Sequence, residues 1–139
     1  EMFDTLKQLA EEKKALDAKM REAGEKAVRE ALKELFAAHP EIKRVRWEQY
    51  TQFFNDGDPC EFSVHEVGAD LGEEGAGDYE DGFVGSYSLS ETNPTAGKAL
   101  KDLNAVIEGM EDTMKAAFGD HSQITATPEE ITVETYEHD

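Results

Sequence analysis

The spacing of the apolar residues changes once, sharply, near residue 40. Between residues 3 and 38, leucine, methionine and alanine recur at three and four positions, which is the spacing of one face of an α-helix. After His39-Pro40, where proline disfavours the helical conformation of the residue before it, Val45 and Trp47 alternate with polar residues. The sequence therefore predicts a helix over residues 3–38 and then a strand over residues 42–54.

A hairpin and a long loop are predicted next. The segment 55–59 (NDGDP) has strong turn chemistry, and the alternation that follows it predicts a second strand over residues 60–65. Residues 67–82 are rich in glycine and in acidic residues and show no period, which predicts a long loop. For residues 83–89, a short strand and an irregular packed segment both remain open.

The last part of the chain predicts a second helix and two more strands. Asn93-Pro94 supplies a helix cap and a proline at the first helical position, and helical spacing then continues as far as Gly119. Residues 123–126 and 131–136 have the composition of strands. We therefore predict one α+β domain over residues 1–139. Two long amphipathic helices pack on a small antiparallel sheet, in the order α-β-β-(loop)-α-β-β.

The first predicted helix is longer than anything it can pack against. A helix over residues 3–38 measures about 54 Å, well beyond the length of the second helix or of any strand. Leu6, Leu9 and Leu16 lie on its N-terminal half and have no obvious cover within one chain. We therefore predict that the protein forms a homo-oligomer through its N-terminal helix, residues 1–38.

Charge is distributed very unevenly. The net charge is −18, yet the first 38 residues hold nine acids and eight bases. Between Trp47 and Gly97 there are 12 acids and neither lysine nor arginine. Such a surface repels nucleic acid and anionic membranes and attracts a basic partner or a cation. We therefore expect no direct nucleic-acid or membrane binding and expect a basic protein as the partner.

Metal, cofactor and leader signals are weak. Zinc sites need clustered cysteine and histidine, whereas Cys60 is the single cysteine and the four histidines are dispersed. Calcium-loop spacing fails around Gly57 and half fits around Gly75. We expect no metal, no cofactor and a buried Cys60. With no long apolar run and no visible leader, a cytoplasmic location is the expectation.

Catalytic motifs are equally weak. No serine, cysteine or threonine has a recognisable nucleophile context, and the glycines of residues 68–77 do not form a phosphate-binding motif. Asp56 and Asp58 are typical turn residues, whose side chains accept hydrogen bonds from the backbone of their own turn. We therefore expect a binding protein and not an enzyme.

One segment carries a family resemblance. The stretch 47–62, WEQYTQFFNDGDPCEF, holds five of the 12 aromatic residues of the chain. It resembles a hairpin of small uncharacterised accessory proteins of tailed bacteriophages, over about 20 residues. The resemblance implies a viral protein in the host cytoplasm, of a kind that counters host defence. It carries over no catalytic residue.

The main functional prediction is an acidic inhibitor. Its carboxylates would stand in for phosphates, as in a DNA mimic, and would mask the basic nucleic-acid-binding site of a host protein. The predicted partner-binding residues are Glu48, Asp56, Asp58, Glu61, Glu73, Glu74, Asp78, Glu80 and Asp81.

Two alternatives remain open. A sequestering protein for a small nucleotide-like signal would bind it with Arg44, Arg46, Trp47 and Tyr50, under a lid formed by the 67–82 loop. The net charge opposes an anionic ligand, so this alternative ranks second. A structural or assembly module would instead use the N-terminal helix as a coiled-coil handle.

Overall fold

The computed structural model describes residues 2–53, 57, 60–72 and 82–137. This part of the chain is α+β, with four helices and a five-stranded antiparallel sheet. Most of the predicted turn at 55–59 and of the predicted loop at 67–82 lies outside the described residues. The elements are α1 (Asp4–Ala38), β1 (Arg44–Thr51), β2 (Phe62–Val64), β3 (Gly68–Asp70), α2 (Ser86–Thr92), α3 (Pro94–Glu108), α4 (Glu111–Phe118), β4 (Ser122–Ala126) and β5 (Ile131–Thr135).

Strand β1 lies inside the sheet and organises it. On one side it pairs with β4, which pairs in turn with β5. On the other side it pairs with β2 near its end and with β3 near its start. The predicted hairpin is confirmed, since β1 and β2 are antiparallel with Tyr50 opposite Ser63.

Three details differ from the prediction. The second helix is divided into α3 and α4, because Gly109 is a poor helix former and Met110 (φ −123°, ψ 39°) leaves the helical region. Two long helices are therefore not confirmed. Strand β3 lies inside the predicted loop; its three residues are too few to show a period and depend on pairing with β1. Residues 83–89 become a single bridge at Val84 and the start of α2.

The core lies between the helices and the inner face of the sheet, which is the face toward the helices. Val45 and Trp47 of β1 and Ile124 of β4 are completely buried there. The Trp47 ring meets Phe118 of α4 edge to face, with the ring centroids 6.0 Å apart. Burial of each large apolar side chain stabilises the fold by roughly 1.5–3 kcal/mol.

A polar residue, Gln49, is completely buried in this core. Its Nε2 donates to the backbone oxygens of Met114 at 2.9 Å and Gly119 at 2.7 Å. Its Oε1 accepts from the Trp47 Nε1, at 3.1 Å. Gln49 therefore binds two backbone carbonyls at the C-terminal part of α4 and ties that helix to the sheet.

The two halves of α1 have different surroundings. From Gly24 onward the helix packs on the rest of the chain, and Val28, Leu32 and Leu35 are buried. Every residue from Met2 to Ala23 is exposed. None of the helices in the described part of the chain combines the length and the apolar character needed to cross a membrane.

Candidate functional site

The candidate site lies on the outer face of the sheet, away from the helices. Alternation along β1 places Arg44, Arg46, Glu48 and Tyr50 on this face, opposite the buried side chains. All four are partly buried and not fully exposed. Partial burial of charged side chains on a sheet face means that other groups cover them, and those groups come from distant parts of the chain.

A β-bulge in the neighbouring strand supplies two of these groups. Val64 lies opposite Gln49, and Gly68 lies opposite Arg46. The segment from Val64 to Gly68 is therefore one residue longer than the segment of β1 from Arg46 to Gln49 that it pairs with. The extra residue falls between β2 and β3, where the backbone N–H of His65 donates to the Glu48 carbonyl at 2.9 Å. Bulges redirect side chains and are frequent beside functional sites. Here the bulge residues His65 and Glu66 both line a pocket.

This outer-face pocket has a volume of about 560 Å³, within the usual range for small-molecule sites. Four segments form it: β1, the bulge, the Phe83–Gly85 segment and the C-terminal strands. The side chains that line it and carry its chemistry are Arg46, Glu48, His65, Glu66, Phe83, Gln123 and Tyr136.

The basic wall of the pocket is Arg46 lying over Phe83. The Arg46 Cζ is 4.1 Å from the centroid of the Phe83 ring, and the Arg44 Cζ is 4.8 Å from it. Burial lowers the pKa of Arg46 below its ordinary value, and the Glu48 carboxylate partly opposes this shift. The Arg46 guanidinium still remains protonated at neutral pH. The pocket therefore contains a partly desolvated positive charge, held against an aromatic ring.

Arg44 is committed to a different partner. Its Nε and Nη2 both lie 2.8 Å from Oδ2 of Asp70, which is on the paired strand β3. Asp70 Oδ1 also accepts from the Gly72 N–H at 2.8 Å. Arg44 thus fixes β3 to β1 and supports Phe83 from outside the pocket.

The aromatic wall consists of stacked rings. Tyr50 stacks on His65 with the ring centroids 4.2 Å apart and on Tyr136 with the centroids 5.5 Å apart. The His65 Nε2 is buried and has no hydrogen-bond partner among the described residues. An unsatisfied buried polar atom costs roughly 1–3 kcal/mol. The nitrogen has almost no accessible surface, so a ligand atom would bond to it only after the side chains around it shift. Such a bond would recover that free energy.

The acidic wall consists of two carboxylates. Glu48 Oε1 accepts from Gln123 Nε2 at 3.2 Å and lies 3.9 Å from the Arg46 Nε. A Cβ atom on Gly85 would lie 2.6 Å from Glu66 Oε1, so glycine at that position leaves room for the carboxylate. The residues that carry one cation, two carboxylates, a phenol and an imidazole therefore line the same pocket.

The predicted ligand-binding residues are only partly brought together. Arg46 lines the pocket, while Arg44 and Tyr50 contact its walls through Phe83 and through the stacked rings. Trp47 does not belong to the pocket. It is completely buried on the inner face, because successive strand residues point to opposite faces of the sheet.

Of the nine predicted partner-binding acids, two lie in the described part of the chain. Glu48 lines the pocket and bonds to Gln123, whereas Glu61 is exposed just before β2. The other seven lie outside the described residues: Asp56, Asp58, Glu73, Glu74, Asp78, Glu80 and Asp81.

Several pocket residues were missed by the sequence reasoning. Gln123 reaches Glu48 because β4 pairs with β1, and no local pattern reveals that pairing. Tyr136 stands near the end of the chain, beyond any motif. In the sequence His65 is one of four dispersed histidines and belongs to no motif. The prediction of a buried Cys60 is wrong, since this residue precedes β2 and is exposed.

Neither a metal site nor a similar known protein points to the function of the pocket. Among residues 2–53, 57, 60–72 and 82–137, no three histidine, cysteine or carboxylate side chains come together in a group that could hold a metal ion. Comparison of the chain with models of protein families, with curated proteins and with solved structures finds no match. Function is therefore inferred from the outer-face pocket and from the charge distribution.

Proposed function

We propose that this protein binds and sequesters a small nucleotide-like molecule in the outer-face pocket. The observation that carries the proposal is the buried, unpartnered Nε2 of His65 in a pocket whose cation is Arg46. An unsatisfied imidazole and a partly desolvated guanidinium both lower the stability of the fold. Both groups can form strong polar contacts with a ligand.

The groups of the pocket match the parts of a nucleotide. Arg46 would bind the phosphate through charge-assisted hydrogen bonds, and the ring of Tyr136 would stack on the base. Glu48 and Glu66 would accept hydrogen bonds from sugar hydroxyls or exocyclic amines. Since these carboxylates and the net charge of −18 oppose further negative charge, we expect a monophosphate or a cyclic phosphate and not a triphosphate.

Binding without turnover is the proposed activity. Serine, cysteine and threonine, the usual hydroxyl and thiol nucleophiles, do not occur among the described residues that line the pocket. The proposal is therefore a sequestering protein whose effect depends on affinity and abundance.

Two measurements test the pocket. Mass spectrometry of the denatured purified protein looks for a released small molecule. Calorimetric titration with adenosine and guanosine monophosphates, and with their cyclic forms, then measures affinity. For Arg46→Gln we expect a loss of roughly tenfold to 100-fold, since a hydrogen bond to a charged group contributes about 1.5–3 kcal/mol.

Lys43→Gln is the matched control. It removes the same charge three residues away, from an exposed side chain that does not line the pocket. We expect it to change affinity by less than about threefold, the level of a screened surface charge. Equal losses in the two variants would mean that only general charge matters, and would reject the pocket.

A second candidate function rests on a different observation. The 12 acids between Trp47 and Gly97, with no lysine or arginine among them, favour a protein that masks the basic nucleic-acid-binding site of a host protein. Of the two predicted partner-binding acids that the structure describes, Glu61 is exposed, whereas Glu48 is bound to Gln123. This candidate depends mainly on acids between residues 56 and 81.

Capture from host lysate tests the masking function. Exposed charges are screened within about 3 Å at 1 M salt, so a masked partner should bind at low salt and dissociate at high salt. Glu73→Gln with Glu74→Gln should weaken capture, whereas Glu129→Gln with Glu130→Gln removes equal charge outside the stretch and should not. A partner retained unchanged at high salt would contradict the electrostatic mechanism.

Both candidates suit a viral accessory protein that acts in the host cytoplasm against host defence. One would remove a signalling nucleotide, and the other would cover a host protein. Support for this setting is the resemblance of the 47–62 segment to bacteriophage proteins. Expression in bacteria that carry a nucleotide-signalling defence should restore phage growth, and Arg46→Gln should abolish the effect if the pocket is responsible.

A further inference from the structure

We infer that the N-terminal half of α1 pairs with the same segment of a second copy of this chain, as an antiparallel two-helix coiled coil. Every residue from Met2 to Ala23 is exposed, including large apolar ones. Leu6, Leu9 and Leu16 are 60–66% exposed, and Met20 is 38% exposed. With Lys13, these residues follow the three-and-four spacing of a coiled-coil seam.

The seam ends where the body of the protein begins. Met20 borders the turn at Gly109 and the start of α4, and Gly24 packs directly against Thr113. The C-terminal half of α1 packs on its own chain through a different set of positions, at Gly24, Val28, Leu32, Leu35 and Phe36. The free seam therefore runs from Leu6 to Met20, on a helical arm of about 30 Å formed by residues 4–23.

The charge of the arm favours a copy of itself as the partner. Residues 4–23 hold five acids and five bases, although the whole chain carries a net charge of −18. A neutral arm has no net attraction for a strongly basic protein or for a strongly acidic one. Its flanking charges instead complement each other between two copies.

Those flanking charges select the antiparallel orientation. Glu12 and Lys19 lie on one side of the seam, and Asp17 lies on the other. In a parallel pair Glu12 would face the partner's Asp17, and the two would repel. In the antiparallel pair Glu12 faces the partner's Lys19, and symmetry repeats this attraction.

The layers of the seam agree with the same orientation. In the antiparallel pair, Leu9 packs against the partner's Met20, and Lys13 packs against the partner's Leu16. In a parallel pair, Lys13 would meet the partner's Lys13 inside the seam, which places like charges together. The antiparallel pair also holds the two acidic bodies at opposite ends of the coiled coil, where they repel least.

A charge exchange tests both the pairing and its direction. Sedimentation equilibrium over a concentration series measures the dimer dissociation constant. Glu12→Lys should raise it roughly tenfold, because two attractive pairs become two repulsive ones. The double variant Glu12→Lys with Lys19→Glu should restore it. Tighter association of Glu12→Lys alone would overturn the antiparallel arrangement, because that lysine would attract Asp17 in a parallel pair.

Disulfide trapping gives an independent test. In a Cys60→Ser background, Leu9→Cys and Met20→Cys are made as separate proteins. We expect an intermolecular disulfide when the two are mixed and little from either alone, because the antiparallel seam brings only residue 9 of one copy near residue 20 of the other. A disulfide between two copies of Leu9→Cys would overturn the orientation. A monomer at every concentration would overturn the pairing.

The dimer and the pocket can be separated experimentally. Leu9→Glu with Leu16→Glu should convert the protein to a monomer, and the exposed positions of both residues leave the fold of the body unchanged. Nucleotide titration of this monomer reports on the outer-face pocket alone. Loss of the dimer with retained nucleotide binding is the expected result.

Discussion

The two faces of β1 differ in how completely their side chains are satisfied. On the inner face, Val45, Trp47 and Gln49 are all completely buried, and every side-chain polar atom of Trp47 and Gln49 has a partner. On the outer face, Arg46 is partly buried over Phe83, and the neighbouring His65 has an unpartnered nitrogen. One strand thus supports a core with satisfied polar atoms on one side and, on the other, a polar pocket in which a buried nitrogen lacks a described partner.

This contrast separates stability from binding. Substitutions on the inner face should lower the free energy of unfolding and leave any surviving folded protein able to bind. Substitutions on the outer face should change binding with small effects on stability, or even with a gain.

Trp47→Ala should be the most damaging change. Removing a completely buried indole leaves a cavity and removes the edge-to-face contact with Phe118, at a cost of about 3–5 kcal/mol. Urea unfolding followed by circular dichroism measures it, since the chain has one tryptophan and loses its fluorescence probe. Tyr87→Ala, at a side chain that is 80% exposed, is the control and should cost less than about 0.5 kcal/mol.

Gln49→Ala should follow, at about 2–3 kcal/mol. It leaves the Trp47 indole N–H and the carbonyls of Met114 and Gly119 without the partner they have now. Gln123→Ala is the matched outer-face control, because it removes one hydrogen bond to Glu48 at a partly exposed site. Equal losses in the two glutamine variants would contradict the division between the faces.

Asp120→Asn should remove an acid-sensitive contribution of about 1 kcal/mol. Burial by itself would raise the pKa of Asp120, but hydrogen bonds from Thr51 Oγ1, the Thr51 N–H and the His121 N–H outweigh it and lower the pKa. A carboxyl with a lowered folded-state pKa stabilises the fold above its unfolded pKa of about 4, and this stabilisation is lost as the pH falls through the folded pKa.

Unfolding measured from neutral pH down to about pH 2 tests this, because the range starts above the unfolded pKa and extends toward the lowered folded pKa. The wild type should lose more stability than Asp120→Asn on acidification, and the gap between the two curves should narrow as the pH falls. A constant gap across the whole range would show that Asp120 acts without its charge.

His65→Phe should give the smallest change and the opposite sign. Phenylalanine keeps the stack with Tyr50 and removes the unpartnered nitrogen, so we expect a gain in stability of roughly 0.5–1 kcal/mol. Nucleotide binding should weaken in the same protein. A more stable variant with unchanged binding would show that the His65 nitrogen is not part of the site.

Much of the fold follows from local patterns. The period of residues 3–38 matches α1, and the alternation of residues 42–54 and the turn after it match the β1–β2 hairpin. Strand β3 and the break at Gly109 are absent from the prediction. Three residues cannot show a period, and a single glycine is often tolerated within a helix. Strand β3 also depends on its pairing with β1, which is distant in sequence.

The candidate site likewise combines features that follow from local patterns with features that depend on tertiary contacts. By itself the sequence determined which residues share a face: the seam from Leu6 to Met20, and the alternation that separates Arg46 from Trp47. Such faces follow from local backbone geometry. Only the tertiary structure decided what each face meets. The bulge at His65 and the pairing of β1 with β4 brought His65, Gln123 and Tyr136 to Arg46, because strand pairing is chosen by the packing of the whole chain.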